Sequence, residues 1–564
     1  MVTHDERNGN ISTINVKIEQ PDDSADIEKA ISAAGYGRYN VLLFLAALPV
    51  AWTGIFDTTT TAFILASAEC DLQLTFFRKG VLTAIPFLAM ALTSFLWDYV
   101  TPYVATKHLF VLGLLLDSVL DIVAATVIDS YYAFLAIKFF NGVLAGGPFS
   151  MVMKYLSEFH SAKYNASFTR WGNLAVNAAM VFPAIIAFLI TPLPLAIDVS
   201  TRRYTSWRIY LLICSIVPVL GLVTASTLPK TPRYLVEIGK PDDALRLLGK
   251  IYSVNERKSS DAFPIKTLRL WRNAPLPRPS FVNGNFERIR IACYNAKLLF
   301  SSSYLRAVAY LNFLQFGSML GLWVPQLFII LNNFDYERWN EDRAPTMCEM
   351  LDRRMSVPAR RYLKCPNFDD ICLTVRTESR RRRRRLADDH DRTLLIVSFE
   401  SVFQWKIRPS VYQNSSIIAF SAVVFSFLVG TISTSKFRKR AIMLAGFLLS
   451  VVSSFGINWA QSPPYMLTLA SAIIVTSRIT GNIVAAVNLD VIPLPLRSTS
   501  LNVLTAVGNV AAVFGHFVFS ALLEMQCLAA FMGMGCLLFA CFCLSFYRPK
   551  PVRTSAKSLA GSDA

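Results

Sequence analysis

Histidine is scarce in this chain. The 564 residues hold five, His4, His108, His160, His390 and His516, and no two stand at the spacing that a zinc site or a nucleophile–base pair needs. No enzyme activity, no metal and no cofactor are therefore expected. A phosphate-cradling loop is missing too: Gly142, Gly146 and Gly147 come with no strand and no Gly-Lys-Ser/Thr sequence, so they read as points of close helix approach and not as a nucleotide site. Charge is sparse as well, at 17% Asp, Glu, Lys and Arg against 53% apolar residues and 40 Phe. Such a composition, with mean hydropathy +0.42, makes a poor soluble surface and points to the lipid bilayer as solvent. The net charge of +18 would suit nucleic acid, but the basic residues lie largely in loops between apolar runs, where the positive-inside rule puts them. No nucleic-acid partner is expected. The first forty residues are polar and lack a signal-peptide pattern, which leaves the first apolar run to direct insertion.

What is present is a hydrophobic pattern repeated twelve times. Runs at 41–65, 81–97, 109–128, 133–153, 171–191 and 209–227 are followed by runs at 305–331, 417–434, 442–460, 466–487, 503–523 and 529–546. At about 1.5 Å per residue these can cross roughly 30 Å of hydrocarbon as helices. The pattern predicts an all-α membrane protein of twelve transmembrane helices in two six-helix bundles, the plan of a transporter built from two repeats around a midplane site. The expected divisions are a cytoplasmic tail (1–40), an N-terminal bundle (41–227), a basic cytoplasmic loop (228–304), a seventh span (305–331), a long exofacial loop (332–416), the rest of the C-terminal bundle (417–547) and a second cytoplasmic tail (548–564).

Orientation follows from the loop at 228–304, whose Lys and Arg outnumber its acids more than two to one and which should be cytoplasmic, placing both termini in the cytosol. The exofacial loop carries the uninterrupted run Arg380 to Arg385. It reads as a solvated disordered stretch, as a defect of the gene prediction, or as a protease site or docking patch for a protein partner. Cys348, Cys365 and Cys372 sit where disulfides form, and Cys70 and Cys527 are exofacial partners for the one left over,.

Around the basic loop, Ser206-Trp207-Arg208-Ile209-Tyr210, then Leu228-Pro229-Lys230-Thr231-Pro232-Arg233-Tyr234-Leu235-Val236, Gly239-Lys240 and Asp243-Ala244-Leu245 resemble a pattern, sWRiy … lPESPRyLl … Gk … eAl, of the major facilitator superfamily among its organic-ion transporters and its synaptic vesicle glycoprotein 2 group. Lys230 and Thr231 replace the Glu and Ser of that pattern. Ile64-Leu65 through Ala68-Glu69-Cys70-Asp71-Leu72, and Asn141-Gly142, Gly146-Gly147-Pro148 and Tyr155-Leu156-Ser157-Glu158-Phe159-His160, are similar to stretches of the synaptic vesicle glycoprotein 2 group. The resemblance implies a two-bundle fold that alternates access by rocking. It also implies gating roles at the helix-end loops, and there the chain departs. After the second span only Asp98 survives of the usual acidic and basic set, and after the eighth Gly430, Arg438 and Lys439 are kept while Thr434 stands for the acid. Asn165 stands where Arg is common.

Ionisable residues inside spans cost a few kcal/mol on insertion scales and are the default site candidates. They are Asp57, Asp117, Asp121, Lys138 and Arg478. Asp117 and Asp121, four apart, share one face of the third span, and counting from the turn between spans three and four puts Asp121 and Lys138 at similar depth. They can pair, either as a neutralising structural couple or as coupling groups, and Lys138 matches by resemblance a basic position tied to proton or substrate coupling. Asp117 then remains the lone carboxylate, able to carry a proton. Asp57 has threonine neighbours whose hydroxyls can satisfy it; Arg478 can hold an organic anion, snorkel, or pair with Asp57. Trp52, Phe316 and Trp323 read as packing more than as cavity lining. The expected function is secondary transport of a small organic solute, proton-coupled through Asp117 or Asp121. The rival is a transport-inactive membrane protein of vesicles or the cell surface that binds partners. An epitope inserted near Asn273 should be reachable by antibody only after permeabilisation, and one near Asp388 in intact cells or right-side-out membranes; the reverse pattern overturns the orientation.

Overall fold

The computed structural model describes residues 24–69, 71–100, 104–193, 195–199, 202–268, 297–323, 346, 348–349, 410–433, 435–461, 463–492 and 496–547. The Arg380 to Arg385 run, Cys70, Cys365, Cys372, Thr434 and most of the expected exofacial loop lie outside them. In chain order the elements of the first half are β1 (Ser24–Ala25), α1 (Ile27–Ala33), α2 (Arg38–Ile64), α3 (Phe76–Val100), α4 (Thr106–Thr126), α5 (Tyr131–Ser157), α6 (Ala162–Asn177), α7 (Val181–Ile190), β2 (Ala196–Val199), β3 (Arg202–Thr205), α8 (Ser206–Cys214), α9 (Ile216–Thr227), α10 (Pro232–Glu237), α11 (Pro241–Glu256) and β4 (Thr267–Leu268). The second half adds α12 (Ser302–Leu320), α13 (Ser410–Ile432), α14 (Lys436–Gly456), α15 (Pro463–Val491), α16 (Arg497–Met525) and α17 (Cys527–Ser545).

These form two compact units. The smaller comprises the chain up to residue 41 with 158–165 and 231–276. Thr231 caps α10 by accepting from the Tyr234 N–H, and α10 and α11 each open on a proline, whose missing N–H costs nothing at a first helical turn. Asn255 ties this unit together. Its Nδ2 donates to the carbonyls of Ala34 and Gly35 and to Asn40 Oδ1, and its Oδ1 accepts from the Tyr39 N–H. β1 pairs in parallel with β4.

The larger unit comprises 42–157, 166–230 and 277 onward. Each of the twelve apolar runs is mainly helical over its described residues, and the fifth and sixth are interrupted within. α6 and α7 are separated by a 3-10 turn at Ala178–Met180, and α8 gives way to α9 at Ser215, whose hydroxyl takes the Leu212 carbonyl. α13 starts at Ser410, ahead of the apolar run at 417. Tyr412 extends it there, being fully buried with its hydroxyl on the Phe63 carbonyl.

Helix α4 shows how lipid reverses the usual pattern. Leu112, Leu115, Leu116 and Val119 lie on its exposed face, while Asp117 and Ser118 are buried with Leu109, Phe110 and Leu114. An ionisable side chain turned toward hydrocarbon would have no partner, so it turns to the bundle. The bundle tolerates this because α3 and α5 approach closely: a Cβ on Gly142 would come within 2.5 Å of the Pro86 carbonyl oxygen and 2.8 Å of Ala89 Cβ. Across the two bundles, α3 packs on α16. Any side chain at Gly80 would collide with Ser520, Phe87 stacks on His516 at 5.6 Å, and Thr83 Oγ1 lies 3.5 Å from His516 Nδ1.

Cys348 is disulfide-bonded to Cys527, with Cα atoms 5.5 Å apart. The two candidates named from sequence thus bind each other, joining the loop after α12 to the first residue of α17. Gly142→Ala should lower the melting temperature of the purified protein, at a cost of about 1–3 kcal/mol for forced separation of α3 and α5. An unchanged melting temperature would mean the two helices are not in contact there.

Candidate functional site

Three helices of the N-terminal bundle bring five polar side chains to one place. α4 contributes Asp117 and Asp121, one turn apart on its inner face, and α5 contributes Lys138 and Asn141, three apart on its own. α2 contributes Asp57. Lys138 Nζ lies 2.9 Å from Asp121 Oδ1, with the lysine 1% and the aspartate 13% exposed. Asn141 donates its Nδ2 to the same Oδ1. One oxygen from each of Asp57, Asp117 and Asp121 lies within 4.8 Å of the others.

The structure therefore unites the four acidic and basic candidates of the N-terminal half. It also answers the question left open at Asp57. The threonines after it do not satisfy its carboxylate, because Thr58 and Thr59 turn their hydroxyls to the carbonyls of Gly54, Ile55 and Phe56, and Thr61 bonds the backbone carbonyl of Asp57 itself. Asp57 Oδ2 is buried without a hydrogen-bond partner, as are both carboxylate oxygens of Asp117 and the Oδ1 of Asn141. Sequence reading passed over Asn141 as a site residue. Its place three residues after Lys138, on the same helix face, was the available signal.

The electrostatics are lopsided. Three carboxylates face one ammonium, and at 4.8 Å two like charges repel by about 3.5 kcal/mol at an effective dielectric of roughly 20. A buried carboxylate with neither a hydrogen bond nor a counter-charge is costlier still. The site as built cannot hold all three carboxylates ionised with Lys138 as the sole positive charge; it calls for protons or another cation.

Arg478 lies at mid-helix on α15. Its Nε is buried without a hydrogen-bond partner, like the neighbouring Ser477 hydroxyl. It makes no ion pair with Asp57 or with any other described acid. Trp52 donates Nε1 to the Ala175 carbonyl and lies 5.0 Å from Phe182, Phe316 lies 5.7 Å from Phe514, and Trp323 stacks on Phe519 at 4.1 Å. All three are packing residues.

The gating candidates divide. Asp98 lies in the last turn of α3. Gly430 has open space where a Cβ would stand, and Arg438 Nε turns back to its own helix cap at Ser435. Lys439 finds an acid after all: Asp490, near the end of α15, at 2.7 Å. The pair joins Lys439 to a neighbouring helix and, partly exposed, is worth up to about 1 kcal/mol.

Two motifs distant in sequence meet at the opposite end of the bundle. Trp207 donates Nε1 to Asp71 Oδ2 at 2.6 Å, Lys79 pairs with Glu69 at 2.9 Å, and Arg208 bonds Asp129 in the α4–α5 turn and the Ala125 carbonyl. The Glu69-to-Asp71 and Ser206-to-Arg208 stretches are thus held by one rim of polar contacts.

Residues 50–270, which include every member of the acidic cluster, match the family described as sugar (and other) transporter. The chain is 28% identical over 233 residues to synaptic vesicle glycoprotein 2A of Rattus norvegicus and of Homo sapiens, which is 41% of this chain and 31% of theirs. It is 26% identical over the same length to synaptic vesicle glycoprotein 2B of Rattus norvegicus, 34% of that protein. The match spans about a third of these relatives. Among solved structures, the inward-open xylose transporter XylE from E. coli aligns with TM-score 0.56 and 14% identity over 93% of this chain and 98% of its own. The partially occluded inward-open form gives 0.55 and 13% over 91% and 100%. The chain has the major facilitator fold of two six-helix bundles.

Lys138→Met should destabilise the bundle by about 3–5 kcal/mol, the cost of leaving a buried charge without its partner, unless Asp121 takes up a proton. Asp121→Asn in the same chain should restore folded yield. A double-mutant cycle on that yield with no coupling between the two positions would dismiss the pair.

Proposed function

From a multi-pass membrane protein of the major facilitator fold, related in sequence to synaptic vesicle glycoprotein 2, we propose a secondary transporter that moves a small organic solute by alternating access, coupled to protons through the Asp57, Asp117, Asp121 and Lys138 cluster. The observation that carries this reading is the charge imbalance. Two carboxylates in excess of one ammonium, buried in a bundle, stay there only by binding something positive, and a group that binds and releases charge at the middle of a rocking bundle can link that charge to a conformational change. Both termini then face the cytosol, in the plasma membrane or an intracellular vesicle membrane.

Arg478 supplies the complementary charge in the other bundle. A guanidinium with no ion pair to any described acid, its Nε buried without a hydrogen-bond partner, suits an anionic group on the solute, which it can grip with two hydrogen bonds. The rival reading, a transport-inactive receptor or scaffold, draws support from the reduced gating loop after α3, where only Asp98 of the usual charged set is kept.

Proteoliposomes containing the purified chain decide between them. Under an inward proton gradient, at least one solute from a panel of small carboxylates, phosphates and sugars should accumulate and should raise the melting temperature of the protein, since a ligand of the native state must stabilise it. Arg478→Met should keep the fold, because it orphans no described acid, and should lower uptake of an anionic solute tenfold or more, a loss of about 1.4 kcal/mol. Neither uptake nor thermal shift across the panel would leave the scaffold reading in possession.

A further inference from the structure

The acidic cluster has the geometry of a metal-cation site, and we propose that Asp57, Asp117, Asp121 and Asn141 bind a hard cation, Na⁺ or Ca²⁺. Distance is the first argument. Ligand oxygens across a coordination sphere are separated by up to twice the metal–oxygen length, and for a cation bound at 2.3–2.6 Å that span is about 4.6–5.2 Å. The three carboxylates offer oxygens no more than 4.8 Å from one another. Mg²⁺, at about 2.0–2.1 Å and with strict octahedral demands, fits this spread less well.

The second argument is independent of the acids. Asn141 is fully buried, and its amide reaches the cluster because Nδ2 donates to Asp121. The Oδ1 of the same amide has no hydrogen-bond partner. A buried amide carbonyl at the edge of a carboxylate cluster is a neutral oxygen ligand of the kind hard cations take, and a poor neighbour for carboxylates otherwise.

Charge is the third. Lys138 and Asn141 both bond Oδ1 of Asp121, so the ammonium is committed to that acid, while Asp117 has neither of its oxygens hydrogen-bonded and Asp57 has one free. Three carboxylates against one ammonium leave two negative charges. A divalent cation balances both; Na⁺ balances one and leaves one for a proton. The titratable and charged groups facing the site from the packed helices are Asp57 on α2, Asp117 and Asp121 on α4, Lys138 on α5, and Cys214 on α8. Arg208, also on α8, is engaged by Asp129.

The cation gives the coupling site of the proposed transporter its second ligand and in that role rests on the transport reading, but its binding is measured without solute or uptake. Purified full-length protein is exchanged into choline chloride, and its thermal unfolding is followed as NaCl, CaCl₂ or MgCl₂ replaces choline at constant ionic strength. Na⁺ or Ca²⁺ should raise the melting temperature saturably and more than Mg²⁺ does. Asp117→Asn should abolish the cation-dependent rise and melt no lower than the wild type in choline, because it removes an uncompensated charge. Asp490→Asn, which alters only the Lys439 pair, should keep the rise. Whichever of Na⁺ and Ca²⁺ acts identifies the ion. An equal response to every salt, a rise that persists in Asp117→Asn, or no rise with either ion would overturn the proposal. Solute uptake with none of these cation effects would leave transport standing and refute the cation site alone.

Discussion

The buried contact between Lys138 and Asp121 is the constraint on which the N-terminal bundle depends. Each side chain alone would put a net charge where neither water nor counter-ion is at hand, at a cost of several kcal/mol. Together they allow α4 and α5 to pack, and their meeting sets the rotation of both helices. With Asp121 turned inward, Asp117 must follow one turn away, and Leu112, Leu116 and Val119 are left for the lipid. The orientation of α4 is thus fixed by its polar residues, since the apolar ones are equally content against lipid or protein.

Close backbone approach makes the contact reachable. Gly142 lets α5 sit against the Pro86 segment of α3, and without that proximity α5 would stand too far out for Lys138 to reach the bundle centre. The prolines inside α2, α3 and α5, namely Pro49, Pro86 and Pro148, are tolerated in membrane helices because neighbouring helices and hydroxyl side chains take over the freed backbone groups. At the far end of the bundle the Asp71–Trp207 and Arg208–Asp129 contacts tie the helix ends together, so the cluster lies between a polar rim and a tightly packed middle.

The two bundles differ in what they leave unsatisfied. The N-terminal bundle has an excess of carboxylates, and the C-terminal bundle has a guanidinium with no ion pair among the described residues. They do not cancel, because Arg478 and Asp57 form no ion pair. A protein built only for stability would have paired or removed these groups, since apolar residues in their place would cost less. Charge retained on both sides without mutual neutralisation is what a site for an external charged ligand requires. The gating loops are more ambiguous, with Lys439 paired through Asp490 on another helix.

The sequence by itself determined that the chain spans a membrane, about where each helix lies, and which residues carry charge into the bilayer. Those follow from composition and from runs of apolar residues, which are local properties. Helix depth, counted from a short turn, was also enough to bring Asp121 and Lys138 to one level. Only the tertiary structure decided that Asp57 joins them, because its helix is separated from α4 by a loop, a further helix and a second turn, and nothing in its own surroundings sets its rotation. The threonines beside it looked like partners in sequence, but a threonine in a helix spends its hydroxyl on the preceding turn. Tertiary structure likewise matched Cys348 to Cys527 across 179 residues and Lys439 to Asp490, and left Arg478 with no ion pair among the described residues. Pairing between distant residues depends on how helices rotate and pack, which no local pattern encodes.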